Sequence, residues 1–292
     1  MLNRIASETL QNIAISDRVS LRYRKVGSGK PLVLMHTIRT QLEYFDAIVP
    51  NLAQHFTIYA VDLPGHGYSS VDKRAAYDEP YFRSAIVSLI EKLDLRDVTL
   101  AGESIGGVLA LTVAAALPDR VKAVVASNAY DYDRRYGDGV RRGNIFANVA
   151  IGSYALPAFG ALNAALENKL FLRWAFSGGL YDKRNLSRDL LSELDRAGRR
   201  KGYRYVERKT FAGWRSWRKA RALYQNVKAP VTFIYGDHDW STPEERARNA
   251  EDLPGARLMT LQQTGHFATL ECPQQIADII IGSEARIAAA VA

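Results

Sequence analysis

The sequence of 292 residues contains one cysteine, Cys272. An intrachain disulfide is therefore excluded, and so is a small fold stapled by bridges. No CxxC or HExxH spacing is present, so no bound metal is expected. No internal repeat is visible. Met1–Gln11 mixes Arg4, Glu8 and polar residues and lacks the apolar core of a secretory signal. With the lone thiol, this gives the expectation of a reducing, cytoplasmic compartment. Cys272 itself reads as a buried structural thiol. Long charge-free runs are scarce as well. The one exception is Gly143–Leu166, 24 residues without a charge. That length can span ~30 Å of hydrocarbon. Asn144, Asn148, Gly152, Ser153, Pro157, Gly160 and Asn163 interrupt it, so lid helices lining an apolar pocket are the better reading.

What the chain does have is a strand, a sharp turn and a helix around a serine. Asp97–Ala101 is a short apolar stretch that reads as a buried strand, and Gly107–Ala116 is an alanine-rich stretch that reads as a packed helix ended by Leu117-Pro118. Between them lies Gly102-Glu103-Ser104-Ile105-Gly106, a Gly-x-Ser-x-Gly pentapeptide. In that setting the turn lifts the serine hydroxyl out of a sheet, and the glycines remove side chains that would collide across it. Ser104 is thus a candidate nucleophile; the bland alternative is a loop serine.

A serine hydroxyl needs a base, and the base needs an orienting acid. The chain has five histidines. His266 lies in a late loop after the strand-like Ala256–Leu261, where the base falls in the order Ser, acid, His. His36 sits at a strand end, His66 in a turn, and His55 in a polar stretch that reads as surface. For the acid, the strand Pro230–Tyr235 opens into Gly236-Asp237-His238-Asp239, and both aspartates compete. The end of the preceding strand offers only Asn128, which carries no charge to stabilise an imidazolium.

Together these segments resemble the α/β-hydrolase superfamily, in its cap-bearing branch. The resemblance rests on Leu34-Met35-His36-Thr37, Asp62-Leu63-Pro64-Gly65-His66-Gly67-Tyr68-Ser69, the Ser104 elbow, Gly236-x-x-Asp239-x-x-x-Pro243 and Gly265-His266-x-x-x-x-Glu271-x-Pro273. It implies a Ser104–Asp239–His266 triad, with Asp237 left as a turn residue. It also implies an oxyanion hole from the backbone amides of Thr37 and Ile105. Thr37 departs from the family's usual glycine; its amide survives, and its hydroxyl could add a contact. A serine at the elbow argues against the haloalkane dehalogenase and epoxide hydrolase chemistry that similar proteins run from an aspartate there.

The order of elements agrees with such a fold. Strands are expected at 18–26, 32–35, 57–61, 97–101, 121–126, 230–235 and 256–261, and helices at 81–93, 107–116, 243–251 and 273–281. Alternation of this kind implies an α/β fold with a mostly parallel sheet covered on both faces. Residues 128–221 break the rhythm and are expected to form a helical cap inserted after the sixth strand, on a core of 1–127 and 222–292. The charge is local. The whole chain carries 39 basic and 31 acidic residues, yet residues 128–221 hold 20 and 9, a net of +11 against −3 elsewhere. A solvated face, attraction of anionic substrates, and peripheral contact with anionic membrane are the readings of that cap. Nothing resembles a nucleic-acid recognition module.

The implied activity is ester hydrolysis through an acyl-enzyme, without a cofactor. The same triad also suits carbon–carbon bond hydrolysis or lactone opening, and the fold suits a ligand-binding receptor with little turnover. The substrate is expected to be a small molecule with an apolar acyl or aromatic part. Arg39 is a candidate for meeting a substrate carboxylate, against the alternative of a surface arginine. Phe211, Trp214 and Trp217 have the spacing of one helical stripe. Trp214 is accordingly a candidate substrate contact, against plain packing.

Overall fold

The strands around the elbow are apolar at nearly every position, the pattern of strands buried on both faces. Leu32 and Leu34 point to one side of the sheet, and Val33 and Met35 to the other, each set into its own core. The computed structural model describes residues 9–143 and 167–291. Eight strands form one sheet: β1 (Thr9–Ala14), β2 (Ser20–Gly27), β3 (Lys30–Met35), β4 (Phe56–Val61), β5 (Val98–Glu103), β6 (Val121–Ser127), β7 (Val231–Gly236) and β8 (Arg257–Leu261). Their order is β1-β2-β4-β3-β5-β6-β7-β8. β2 pairs antiparallel with β1 and with β4, and every other pairing is parallel. The doubly covered, mostly parallel α/β sheet expected from the sequence is present.

Helices Glu79–Lys92 and Ile105–Ala116 close one face, through residues such as Phe82, Ile86, Val108 and Leu109. Helix Pro273–Val291 covers the other through Ile276, Ala277 and Ile280. The first of these starts where Asp78 accepts the Tyr81 amide at 3.2 Å, with Pro80 in its first turn. The Gly27-Ser28-Gly29 turn brings the chain from β2 to β3 across β4. Gly27 sits at φ 85, and any side chain there would run into the Phe56 and Ala53 carbonyls.

β1 was absent from the expected elements. It is an edge strand, exposed at nearly every position and joined to β2 mainly through its backbone ladder, with the Tyr23 hydroxyl donating to the Gln11 side chain. Between β6 and β7 run the helices Asp138–Gly143, Lys169–Ser177, Arg188–Gly198, Tyr203–Ala212 and Trp214–Lys219. Asn168 and Ser187 cap the second and third of these. Most of the uncharged run Gly143–Leu166, read from sequence as lid helices, lies outside the described residues. Among the described residues no helix is long and apolar enough to cross a membrane. Cys272 is only half-buried, within 3.0 Å of the Thr264 hydroxyl.

Candidate active site

Ser104 stands between the end of β5 and the first residue of helix Ile105–Ala116, at φ 60 and ψ −118. An L-residue held there stores of the order of 1–3 kcal/mol of strain, which the surrounding packing must impose. The flanking glycines explain how. A Cβ on Gly102 would run into the Gly106 carbonyl, and one on Gly106 into the Met35 carbonyl. The Ser104 amide donates to the Ser127 carbonyl at 2.9 Å, pinning the turn to β6.

The loops after β7 and β8 bring their side chains to the same point. His266 Nε2 lies 2.9 Å from Ser104 Oγ, and His266 Nδ1 lies 2.5 Å from Asp239 Oδ1. All three residues are buried. Burial pushes the Asp239 carboxyl up, but His266 and the Ser241 amide and hydroxyl outweigh it and hold the group below its ordinary range. A carboxylate there accepts, so Nδ1 carries the imidazole proton and Nε2 is left to accept from the serine. Asp239 Oδ2 accepts from the Ser241 amide at 3.0 Å and from the Ser241 hydroxyl, which in turn accepts from Arg246 Nε at 2.9 Å. Asp237 does something else. Its two oxygens accept from the Gln263 and Thr264 amides, both at 3.0 Å, tying the β7 loop to the β8 loop.

Several supporting residues were not visible in the sequence as such. Asn128 Nδ2 donates to the His266 carbonyl at 2.8 Å and to Gly265 at 3.3 Å, while its Oδ1 accepts from the Gly236 amide at 3.0 Å. It holds the histidine loop rather than the histidine ring. Glu103 is fully buried and accepts from the Tyr44 hydroxyl, the Asn128 side-chain amide and the Thr269 amide. Burial pushes its carboxyl up. Trp240 stacks on the His266 ring, and its Nε1 donates to the Gly178 carbonyl at 2.9 Å. In sequence, Glu103 adjoins Ser104 and Trp240 adjoins Asp239, whereas Asn128 follows the end of β6 and adjoins none of the three.

Thr37 and Ile105, the residues expected to supply the oxyanion donors, line the same cavity as Ser104. Ile105 is the first residue of its helix, where an amide has no acceptor within the helix. Thr37 follows β3. His36 fixes it: the Leu63 amide donates to His36 Nε2 at 3.0 Å, so Nδ1 carries the proton and donates to the Thr37 carbonyl at 2.7 Å. Burial drives the His36 pKa down to about 4, so the ring is a neutral brace. The Thr37 hydroxyl is buried without a partner among the described residues.

A family model described as the alpha/beta hydrolase fold matches residues 30–273. This chain belongs to the α/β-hydrolase family. It is 28% identical over 273 residues to an uncharacterised protein of Mycobacterium tuberculosis, covering 88% of this chain and 76% of that one. It is 29% identical over 260 residues to the pimeloyl-[acyl-carrier protein] methyl ester esterase of Chromobacterium violaceum, covering 88% and 94%. Wild-type Cfl2 from Burkholderia cenocepacia superposes with a TM-score of 0.80 at 22% identity, over 95% of this chain and 96% of that one, a likeness of fold.

The cavity of this α/β hydrolase is lined by aromatic residues from both the sheet loops and the inserted helices. Tyr130, Trp240 and Phe267 come from the first, and Phe171, Phe176, Phe211, Trp214 and Trp217 from the second. The last three do not form a single helical stripe. Gly213 ends one helix and starts the next, and Trp217 turns inward to pack on Phe82 at 5.7 Å. Arg39 also reaches the cavity wall, but it is neither a surface residue nor a free cation. Its guanidinium is buried and paired with Glu167 and Glu207.

Proposed function

We propose that this protein is a serine hydrolase that cleaves a carboxylic ester through an acyl-enzyme. One observation carries the reading: an unbroken chain of hydrogen bonds from Ser104 Oγ through His266 to Asp239, opening on an apolar cavity. The similarity to a methyl ester esterase over most of both chains supports the ester bond as the target.

In the first half-reaction Ser104 Oγ attacks the carbonyl carbon while its proton passes to His266 Nε2. The resulting imidazolium is held by the Asp239 carboxylate. The oxyanion lies between the amides of Thr37 and Ile105, and each such donor is worth about 3 kcal/mol in the transition state. Collapse breaks the carbon–oxygen bond, and the alcohol leaves with the His266 proton. Water then attacks the acyl-enzyme, giving its proton to His266, and Ser104 leaves with that proton as the acid departs. The aromatic wall keeps bulk water from the tetrahedral species.

A p-nitrophenyl ester series of increasing chain length tests this. A burst of p-nitrophenol equal to the enzyme concentration, followed by slower turnover, is expected at the best-fitting length. Absence of turnover across the series by folded protein contradicts the reading and favours a binding role for the same cavity.

A further inference from the structure

Arg39 is the one basic residue among the described residues that line the cavity, and its charge is matched inside the protein. It leaves the chain two residues beyond Thr37, in the left-handed region at φ 64. Nε lies 2.9 Å from Glu167 Oε1 and 3.1 Å from Glu207 Oε1, and Nη2 also pairs with Glu167. Nη1 donates to the Leu194 carbonyl and the Tyr203 hydroxyl, both at 3.3 Å. Arg204 closes the group, with Nη1 bonded to Glu167 and 3.3 Å from Glu207 Oε2. Above about pH 7, where Glu207 is ionised as well as Glu167, the two guanidinium groups and two carboxylates leave no net charge.

The inserted helices make room for this arrangement. A side chain at Gly198 would run into the Arg39 guanidinium. The opposed carboxylates differ in character. Burial pushes both up; for Glu167 the charges of Arg39 and Arg204 outweigh it and hold the group low, whereas burial and the Glu167 charge carry Glu207 up to about 7. The remaining charged group on the wall is Asp133, a carboxyl engaged with the Tyr130 hydroxyl and the Gly137 and Gly139 amides. The run Gly143–Leu166 has no charged side chain to add, wherever it lies. A carboxylate entering this cavity would lose its hydration and find aromatic rings and matched ion pairs, a costly exchange.

We propose that the cavity takes substrates whose buried part is an uncharged alkyl or aryl group, and that Glu167 and Glu207 set this preference by holding the Arg39 guanidinium. The net positive charge of the inserted segment therefore does not extend to the substrate. This rests on the cavity being the substrate site of the proposed hydrolase, and it names the class that site accepts.

The test is a binding comparison of two ligands of one shape, 4-phenylbutanamide and 4-phenylbutanoate. The signal is tryptophan fluorescence, since Trp214, Trp217 and Trp240 line the cavity. At pH 8.5, where Glu207 is ionised, wild type is expected to bind the amide at least tenfold more tightly. Glu207→Gln, a neutral isostere that releases one partner of Arg39, is expected to narrow that ratio at least fivefold. Glu167→Gln is the second variant should the first not fold, and the wild-type ratio stands without either. An amide bound no more tightly than the carboxylate by wild type overturns the proposal, and so does a ratio unmoved in both variants. Because this readout is binding and not turnover, failure of the hydrolase reading shows separately, as a Ser104 that does not react with a fluorophosphonate.

Discussion

The Trp240 indole lies flat on the His266 imidazole, with ring centroids 3.9 Å apart and planes within 12°. Trp240 directly follows Asp239, so one short loop supplies both the acid that holds the edge of the ring and the surface that holds its face. The indole is itself fixed by its bond to the Gly178 carbonyl. A buried aromatic face favours the cationic ring, an effect worth about 2 kcal/mol where water is excluded. In the proposed cycle that cation exists next to the tetrahedral species.

Replacing Trp240 should therefore slow the chemistry more than it weakens binding. Trp240→Leu is expected to lower kcat by about tenfold, since about 1.4 kcal/mol corresponds to a factor of ten. Trp240→Phe, which keeps a face, should recover most of the loss. Steady-state kinetics on one ester decide the matter. A change in KM alone would assign the indole to substrate contact and remove its role at the histidine.

Asp239 and Asp237 are two residues apart and engage different partners. Asp239→Asn should leave His266 in the wrong tautomer and reduce kcat by about 10⁴, the scale seen when such an acid is neutralised elsewhere. Asp237→Asn should lower the melting temperature through its lost contacts to Gln263 and Thr264, with kcat changed less than about threefold. Equal kinetic losses from both would contradict the assignment of the acid.

Sequence alone separated these two aspartates only through a family pattern, because the distinction is one of direction. Which carboxylate meets a histidine and which meets backbone amides depends on how the β8 loop folds back. The core strands were legible for the opposite reason. Leu32–Met35 in β3 and Ala123–Ala126 in β6 are buried on two faces, and that burial writes itself into continuous apolar runs. β1 lacked that signal because its residues stay exposed and its pairing is carried mainly by backbone. The burial and pairing of Arg39 were not legible because its partners are distant; Glu167 lies 128 residues along the chain.

Glu103 links the serine turn to the histidine loop through Asn128 and Thr269. Glu103→Gln keeps the shape and most of the partners, so it should fold and retain activity. Glu103→Ala leaves the Tyr44 hydroxyl and the Thr269 amide without their acceptor in the core and should cost about 2–4 kcal/mol of stability. Chemical denaturation of the two variants at the same pH measures the difference. Equal stability would show that the carboxyl carries no structural role.

Glu207 gives a pH-dependent stability with a defined sign. Its carboxyl titrates near 7 in the folded protein against an ordinary value of 4.5, so the folded state binds more protons between those limits. Stability from this group is therefore present at low pH and lost as pH rises through about 7. Glu207→Gln removes that slope. Its stability relative to wild type should improve by about 1–2 kcal/mol between pH 5.5 and pH 8. A difference that stays flat or falls over this range would contradict the placement of Glu207 against Glu167.

The central claim is that Ser104 is activated by His266. Labelling with a fluorophosphonate probe, wild type against Ser104→Ala, tests it most directly. The account predicts stoichiometric labelling of folded wild type at Ser104, lost in the variant. Folded wild type that stays unlabelled, or a Ser104→Ala protein that labels as well, would contradict it.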